Sequence, residues 1–182
     1  MEICSATSYP FGFPSRRKLP PLDIIKFLVT TLSNQDNKIA FIRFDEDGEL
    51  TRSSEFMKTF HNINIIVQTT GGDASYLNGK SESPNKTLDN ITRYLLLNSS
   101  HNKELWYFSY QYAIRISCQN ETIFRGDVTY FLWYGNIPSL KHIKIWGVGV
   151  YIINGRAARK MIHDRPQRGY FMVCADTKGV II

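Results

Sequence analysis

The sequence predicts an α/β fold in which a mixed sheet with flanking helices is followed by a small β-rich C-terminal subdomain. Up to about residue 100, segments with apolar residues at helical spacing alternate with short apolar β-rich runs, a pattern typical of α/β proteins. From residue 143 onward only short β runs remain, separated by basic loops. With 43% hydrophobic and 21% charged residues among 182, the chain can form a packed core and differs from disordered, collagen-like and coiled-coil chains. We expect three regions: the core over residues 1–100, a helical extension of it over 101–140, and the β-rich subdomain over 141–182.

The chain opens with two predicted strands and a helix. Residues 3–13 mix small and aromatic side chains around Pro10, which indicates two short strands with a tight connection. Residues 22–32 carry apolar side chains three and four positions apart, and Pro20 and Pro21 stand just before them. This spacing predicts an amphipathic helix that starts near the prolines.

Two longer strands are predicted next. Residues 39–44 are apolar on both faces apart from Arg43, which predicts a strand buried on both faces. Ser53 or Ser54 can cap a short helix, and residues 63–67 form a second buried strand in the prediction.

Two helices are predicted for the middle of the chain. Residues 69–83 form a polar, Gly-rich loop, and Pro84 marks the start of the first helix. The second helix covers residues 103–118, and its phase favours core packing of the aromatic residues between 106 and 112 over base stacking. Short β runs then follow at residues 143–146, 148–153, 170–175 and 180–182.

The residues with chemical potential begin where the strand at 39–44 ends. A run of four carboxylates follows it: Asp45, Glu46, Asp47 and Glu49. Such a run is often a solvated turn, but the carboxyl edge of an open α/β sheet is also where these folds bind ligands. A further carboxylate, Glu82, stands where the Gly-rich loop meets the next helix. Since Mg²⁺ binds one or two carboxylates together with waters and phosphates, Asp45 and Glu82 are candidate metal ligands for phosphoryl transfer.

Five segments in this order resemble the integrase core of copia-type long-terminal-repeat retrotransposons. Together they extend over most of the chain: FPSRRK (13–18), IRFDEDGEL (42–50), QTTGG with LNGKSESPNKT (68–72 and 77–87), LWYGNIPS (132–139) and LKHIKIWG (140–147).

The resemblance implies a ribonuclease-H-like fold and, in intact members, joining of element DNA to target DNA by an acidic triad with Mg²⁺ or Mn²⁺. By position, Asp45 matches the second catalytic carboxylate and Glu82 the third. Asn78 would shape the loop before Glu82 and is a candidate DNA contact. Asn85 and Lys86 on the exposed helix start would face DNA phosphates, with a free solvated surface as the alternative for both. The family also implies DNA as partner, a nuclear location and a homo-oligomer.

Two departures from the family pattern shape the expected activity. The opening strand that carries the first catalytic carboxylate has no counterpart before Asp45, because residues 3–9 match the family's second strand. We therefore expect an N-terminally truncated fragment of a polyprotein that has lost strand transfer. Residues 126–132 also lack the family's usual Pro-containing helix start, which puts a helix there in doubt.

The alternative is a non-catalytic nucleic-acid-binding remnant that uses a basic face. The 22 basic and 16 acidic residues leave a net charge of +6, which fits an anionic partner. The basic residues of the C-terminal loops could contact phosphates or form a solvated face, and they are Lys141, Lys144, Arg156, Arg159, Lys160, Arg165 and Arg168. A third possibility is a fragment that does not fold stably.

The remaining patterns point away from membranes, disulfides and zinc. No apolar run approaches the roughly 18 residues that a membrane helix needs, and no secretory signal opens the chain, so we expect an intracellular protein without membrane contact. Cys4, Cys118 and Cys174 are too widely spaced for a zinc site and are expected to be buried thiols.

Overall fold

The computed structural model describes residues 2–4, 7–14, 22–34, 39–45, 54–70, 75–120, 127–152, 167–174 and 180–181. Within these ranges the chain is a mixture of helices and short strands, which confirms the predicted α/β class. The chain divides into two compact units, Ser15–Pro84 and a discontinuous unit made of Met1–Pro14 and Asn85–Ile182. The boundaries predicted after residues 100 and 140 do not coincide with this division.

The described elements follow each other along the chain as helices and short strands, with two 3₁₀ turns at Lys103–Leu105 and Leu140–His142. In order they are β1 (Glu2–Ile3), β2 (Pro10–Phe11), α1 (Leu22–Asn34), β3 (Phe41–Asp45), α2 (Ser54–Asn62), β4 (Ile66–Thr70), α3 (Ser75–Ser99), α4 (Trp106–Ser117), α5 (Thr129–Tyr134), β5 (Gly149–Ile152), β6 (Gln167–Tyr170), β7 (Val173–Cys174) and β8 (Val180–Ile181).

The Ser15–Pro84 unit is built on a parallel pair of strands. β3 and β4 pair in register from Phe41 opposite Ile66 to Asp45 opposite Thr70, and α2 provides the crossover that a parallel pair requires. Its core consists of apolar side chains from α1, α2 and the residue before β4, and these are Ile25, Val29, Phe56, Phe60 and Ile65. Ile42 and Val67, which lie on one face of the strand pair, pack against this core.

The opposite face of the β3–β4 pair is open. Phe41 is 42% exposed, Ile66 is 64% exposed, and Arg43 is also exposed. The prediction that residues 39–44 are buried on both faces is therefore wrong. Of the described helices, α1 and α2 pack against one face of the pair. The apolar residues of the sequence predict a buried face, but they do not show whether a second layer of helices covers the other face.

The start of β4 also differs from the prediction. Ile63 and Asn64 form a turn at the end of α2, in which Asn64 has φ of +56°. The amide of Ile65 donates to the carbonyl of Phe60 at 3.0 Å, so the strand begins only at Ile66.

The discontinuous unit begins with the predicted hairpin. β1 and β2 are antiparallel, and the rings of Tyr9 and Phe11 lie 5.5 and 5.2 Å from the ring of Trp133 in α5. The doubt about a helix at this place is resolved, because α5 forms and ends at Gly135, which has φ of +72° and donates to the Phe131 carbonyl at 2.8 Å. A left-handed glycine is a common helix end.

The C-terminal β runs share a core with the helices of the same unit. The buried cluster consists of Tyr112, Trp146, Phe171, Met172 and Val173. Leu95 and Leu96 of α3 pack against it. The β-rich region is therefore not packed as a separate subdomain.

Two of the predicted C-terminal strands are formed differently. Residues 143–146 are irregular, and Trp146 is buried there without being part of a strand. The run predicted at 170–175 is interrupted by Phe171 and Met172, which point into the core between β6 and β7. β5 pairs with β6 and β7 with β8, both antiparallel.

No helix in the described part of the chain is both long enough and apolar enough to cross a bilayer.

Candidate metal site and basic surface

Asp45 is the last residue of β3, at the carboxyl end of the parallel pair and opposite Thr70 in the register. Alternation along a strand places positions 41, 43 and 45 on the same face, which is the open one. On this face the Nη2 atom of Arg43 donates to Oε1 of Gln68 at 3.1 Å. The guanidinium carbon of Arg43 also lies 5.8 Å from the centre of the Phe41 ring. The end of β3 at Asp45 agrees with the predicted strand end, and the role of Asp45 in a ligand site stays a prediction.

Glu82 lies inside a helix and not at its start. α3 begins at Ser75, so Glu82 follows about two turns later, and the prediction of a loop over residues 69–83 is wrong for residues 75–83. Asn78 is helical as well, which overturns its predicted role in shaping a loop. Pro84 suggested a helix start because proline is favoured in the first turn, yet here it lies in the helix interior, where it removes one backbone donor.

Both predicted metal ligands belong to the Ser15–Pro84 unit, one at the end of β3 and one in the helix that follows β4. Carboxylates are the oxygen donors that Mg²⁺ and Mn²⁺ accept, so the chemistry of the pair fits such an ion. The side chains of Asp45 and Glu82 lie outside the described part of the structure. Among the described residues, no three His, Cys, Asp or Glu side chains form a group that could hold a metal. The metal site therefore stays a prediction.

The predicted DNA-contacting residues of α3 are in the interior of the helix. Lys86 is exposed, whereas Asn85 beside it is half-buried. The expected location at an exposed helix start is thus wrong for both, although Lys86 keeps the exposure that a phosphate contact requires.

Lys141 and Lys144 are exposed, as a basic surface requires. Lys141 lies in the 3₁₀ turn Leu140–His142. The backbone of Lys144 is held by the buried side chain of Tyr112, because the amide of Lys144 donates to the Tyr112 hydroxyl oxygen at 2.9 Å and that hydroxyl donates to the Lys144 carbonyl. The Lys144 side chain therefore projects from a backbone position fixed by the core.

Tyr151 and Tyr170 are not among the predicted site residues, and they are 68% and 42% exposed on the strands β5 and β6. Arg168, which the sequence predicts in a loop, belongs to β6 opposite Tyr151. Alternation was the available signal, since an inward Val150 makes Tyr151 point outward.

Cys118 is buried and Cys4 is half-buried, and both are free thiols. Burial raises the pKa of the Cys118 thiol to about 11, although a hydrogen bond with the Tyr9 hydroxyl opposes the rise. At neutral pH the thiol is protonated, so it does not have the properties of a nucleophile.

No protein-family model matches the chain, and no curated protein shows significant similarity to it.

Proposed function

We propose that this chain is a fragment of a copia-type retrotransposon integrase core with a ribonuclease-H-like fold, whose ancestral activity is metal-dependent DNA strand transfer. The observation that carries the proposal is the order β3, α2, β4, α3, which places Asp45 at the carboxyl end of a parallel strand and Glu82 on the helix after the neighbouring strand. On this proposal the partner is DNA, the location is nuclear and the chain forms a homo-oligomer.

The pairing of strands supports this fold. Within the described residues every sheet has two strands, and β3 pairs with β4 alone. Parallel strands are usually covered on both faces in sheets of several strands, whereas this pair leaves Phe41 and Ile66 exposed. We take the pair as part of a larger α/β sheet, because a parallel pair with a helical crossover is the unit from which such sheets are built.

Asp45 and Glu82 would hold Mg²⁺ or Mn²⁺, which supplies positive charge to the phosphate oxygens of DNA. Arg43, two residues before Asp45, offers a further positive charge on the same face. Two ions carry four positive charges, and such sites usually share about three carboxylates between them. We therefore expect metal binding by the pair but little or no strand transfer.

Metal binding tests the site directly. Free Mn²⁺, followed by its electron paramagnetic resonance signal, should decrease on titration with the protein. The variants Asp45→Asn and Glu82→Gln should each weaken Mn²⁺ binding by about tenfold or more, because mutating a residue that only hydrogen-bonds to a metal ligand already lowers metal affinity by about that factor. Asp89→Asn and Glu104→Gln remove exposed carboxylates of α3 and of the 3₁₀ turn before α4, and they should leave binding unchanged. Equal effects in the two pairs of variants would refute the site.

Strand transfer is tested with a donor DNA end, a target plasmid and Mg²⁺ or Mn²⁺. We expect no joined product above the background of a reaction without protein. A product that disappears in Asp45→Asn would show that the activity is intact and that the expected loss is wrong.

The second candidate function is nucleic-acid binding without catalysis, and the fixed, exposed position of Lys144 favours it. Binding to duplex DNA should weaken steeply with salt, because each phosphate contact contributes about 0.9 to the slope of log affinity against log salt. Replacing Lys141 and Lys144 together by Gln should reduce that slope by about 2, while the same change at Lys26 and Lys58, which are exposed in the other unit, should not. Asp45→Asn should have no effect. Absence of binding at low salt would remove this candidate.

A further inference from the structure

The outer face of the β5–β6 pair is aromatic and basic. Tyr151 pairs with Arg168 and Gly149 with Tyr170, and these four positions alternate with Val150 and Gly169, which face inward. We call this outer face the tyrosine platform, and it consists of Gly149, Tyr151, Arg168 and Tyr170.

The core holds the platform from below. Val150 packs against the cluster that contains Tyr112 and Trp146. The turn before β5 is attached to the chain after β6, since the amide of Gly147 donates to the Phe171 carbonyl at 2.7 Å and the amide of Phe171 donates to the Val148 carbonyl at 2.9 Å. A surface fixed in this way loses little conformational freedom when a ligand binds.

His101 supports one of the two tyrosines from the side. Its ring lies 4.5 Å from the ring of Tyr170, at an angle of 73°. Its Nε2 atom is 3.1 Å from the carbonyl oxygen of Gly147, which anchors the imidazole to the turn before β5. Tyr170 is therefore oriented before any ligand arrives, and 42% of it remains accessible.

The spacing of the tyrosines selects the kind of ligand. Tyr151 and Tyr170 are diagonal neighbours on a two-stranded sheet, about 7–8 Å apart. Successive bases in a duplex strand are about 3.4 Å apart, so two bases seated on these rings are not stacked on each other. Only an unpaired, unstacked strand exposes base faces in this way. The glycine opposite Tyr170 leaves room, because a Cβ at position 149 would meet no atom within 4 Å.

The charge around the rings fits a phosphate backbone. Arg168 is the direct partner of Tyr151 and lies two residues before Tyr170 on β6, so it neighbours both tyrosines, and Lys144 is exposed shortly before β5. The segment 153–166, which joins the two strands, contains one Asp in its sequence against four basic residues: Arg156, Arg159, Lys160 and Arg165.

We propose that the tyrosine platform binds single-stranded nucleic acid, with bases stacked on Tyr151 and Tyr170 and a phosphate bound by Arg168. The proposal rests on nucleic-acid binding, the second function proposed above, and specifies the strand and the residues that receive the bases.

Fluorescence anisotropy with labelled oligothymidylate, oligouridylate and a DNA duplex of equal length tests the platform. We expect the single strands to bind more tightly than the duplex, and the two single-stranded probes decide between DNA and RNA. Tyr151→Leu and Tyr170→Leu should each weaken single-strand binding by about 5- to 100-fold, while Tyr151→Phe should keep it. Gly149→Val fits the open space at this position. It should also weaken single-strand binding, because the valine side chain would occupy the space beside the Tyr170 ring.

Tyr94→Leu is the matched control, because Tyr94 is 73% exposed on α3 and lies outside the platform. Circular dichroism and thermal denaturation of each variant establish that it is folded. Equal single-strand affinity of Tyr151→Leu and Tyr94→Leu would overturn the platform, and salt-dependent duplex binding through Lys141 and Lys144 would then still stand. Failure of all three probes to bind would overturn both proposals. Loss of a dimer in Tyr151→Leu, with unchanged affinity, would identify the face as a protein interface and also refute the platform.

Discussion

Gly147 occupies a position that no other residue fits. Its φ is +77°, and a Cβ added to it would lie 2.6 Å from the Cβ of Ser99 and 2.8 Å from Cδ2 of His101. The left-handed backbone and the two close approaches act together, because each disfavours a side chain at this position. The close approach of the turn to residues 99–101 thus depends on the missing side chain.

We expect Gly147→Ala to lower the free energy of unfolding by about 1–3 kcal/mol or more, the cost of a strained backbone position with an added clash. Urea denaturation followed by Trp fluorescence measures the change. Gly149→Ala is the control, since its added Cβ meets nothing within 4 Å and should leave stability unchanged or slightly higher. Similar losses in the two variants would contradict the assigned role of Gly147.

Cys118 makes stability depend on alkaline pH. Burial raises the pKa of its thiol from 9.0 to about 11 in the folded chain, so the unfolded chain releases the proton more readily. Stability from this group is complete below about pH 9 and decreases as pH rises toward 11. The full loss corresponds to about 2–3 kcal/mol.

Thermal denaturation between pH 8 and pH 10 checks this expectation. Wild-type protein should lose stability over this range more steeply than Cys118→Ala, which has no thiol to ionise. Burial also raises the pKa of Tyr110, which is present and unchanged in both proteins. The pKa of Tyr9 is raised by burial and also by Cys118, so the difference between the two proteins reports Cys118 together with Tyr9. Parallel pH profiles would contradict the assignment.

At the scale of elements, α3 contains a proline as its tenth residue. Pro84 removes a backbone donor from the helix, and its ring clashes with the carbonyl group one turn earlier. A proline in a helix interior lowers helix stability by about 3 kcal/mol relative to alanine. Pro84→Ala should therefore raise the helix signal in far-ultraviolet circular dichroism and increase stability by about 1–3 kcal/mol. If the variant is unchanged or less stable, the helix starts near Pro84, as its sequence suggested.

The long periodic elements were predictable because their pattern repeats several times. α1 and α4 follow the apolar spacing of residues 22–32 and 103–118, and α4 deviates only in that its first residues form a 3₁₀ turn. Residues 143–146 show where the pattern fails. Their apolar pattern is typical of a strand, but Trp146 is buried next to a turn in which Gly147 donates to the Phe171 carbonyl. The residues around position 146 do not indicate a contact with a residue so distant in the sequence.

The candidate site was predictable in its residue types and only in part in its positions. Asp45 follows a buried-looking run, and a strand end there needs only local information. Glu82 is predicted at a helix start because Pro84 beside it is typical of one, whereas the helix extends back to Ser75. Tyr151 and Tyr170 meet on one face only through the pairing of β5 with β6, which connects residues on either side of a basic segment.

For the whole molecule, the open face of the β3–β4 pair is a source of self-association. Exposed apolar side chains beside an unpaired strand edge favour contact between chains. Sedimentation at increasing concentration should show association, and Ile66→Thr should shift it toward monomer. Ile145→Thr is the control, because Ile145 is equally exposed but lies outside this sheet. A monomer at all concentrations would show that this face does not drive association.

The discontinuous unit has a consequence for synthesis. The rings of Tyr9 and Trp133 stack at 5.5 Å, yet the ribosome makes the second about 120 residues after the first. At a translation rate of about 5–20 residues per second, Trp133 is synthesised about 6–25 s after the hairpin of β1 and β2. Ser15–Pro84 is contiguous and is complete well before that moment. The nascent chain therefore carries Tyr9 and Phe11 as uncovered aromatic surface during this interval, and a chaperone that binds such surface can act on them until Trp133 has been made.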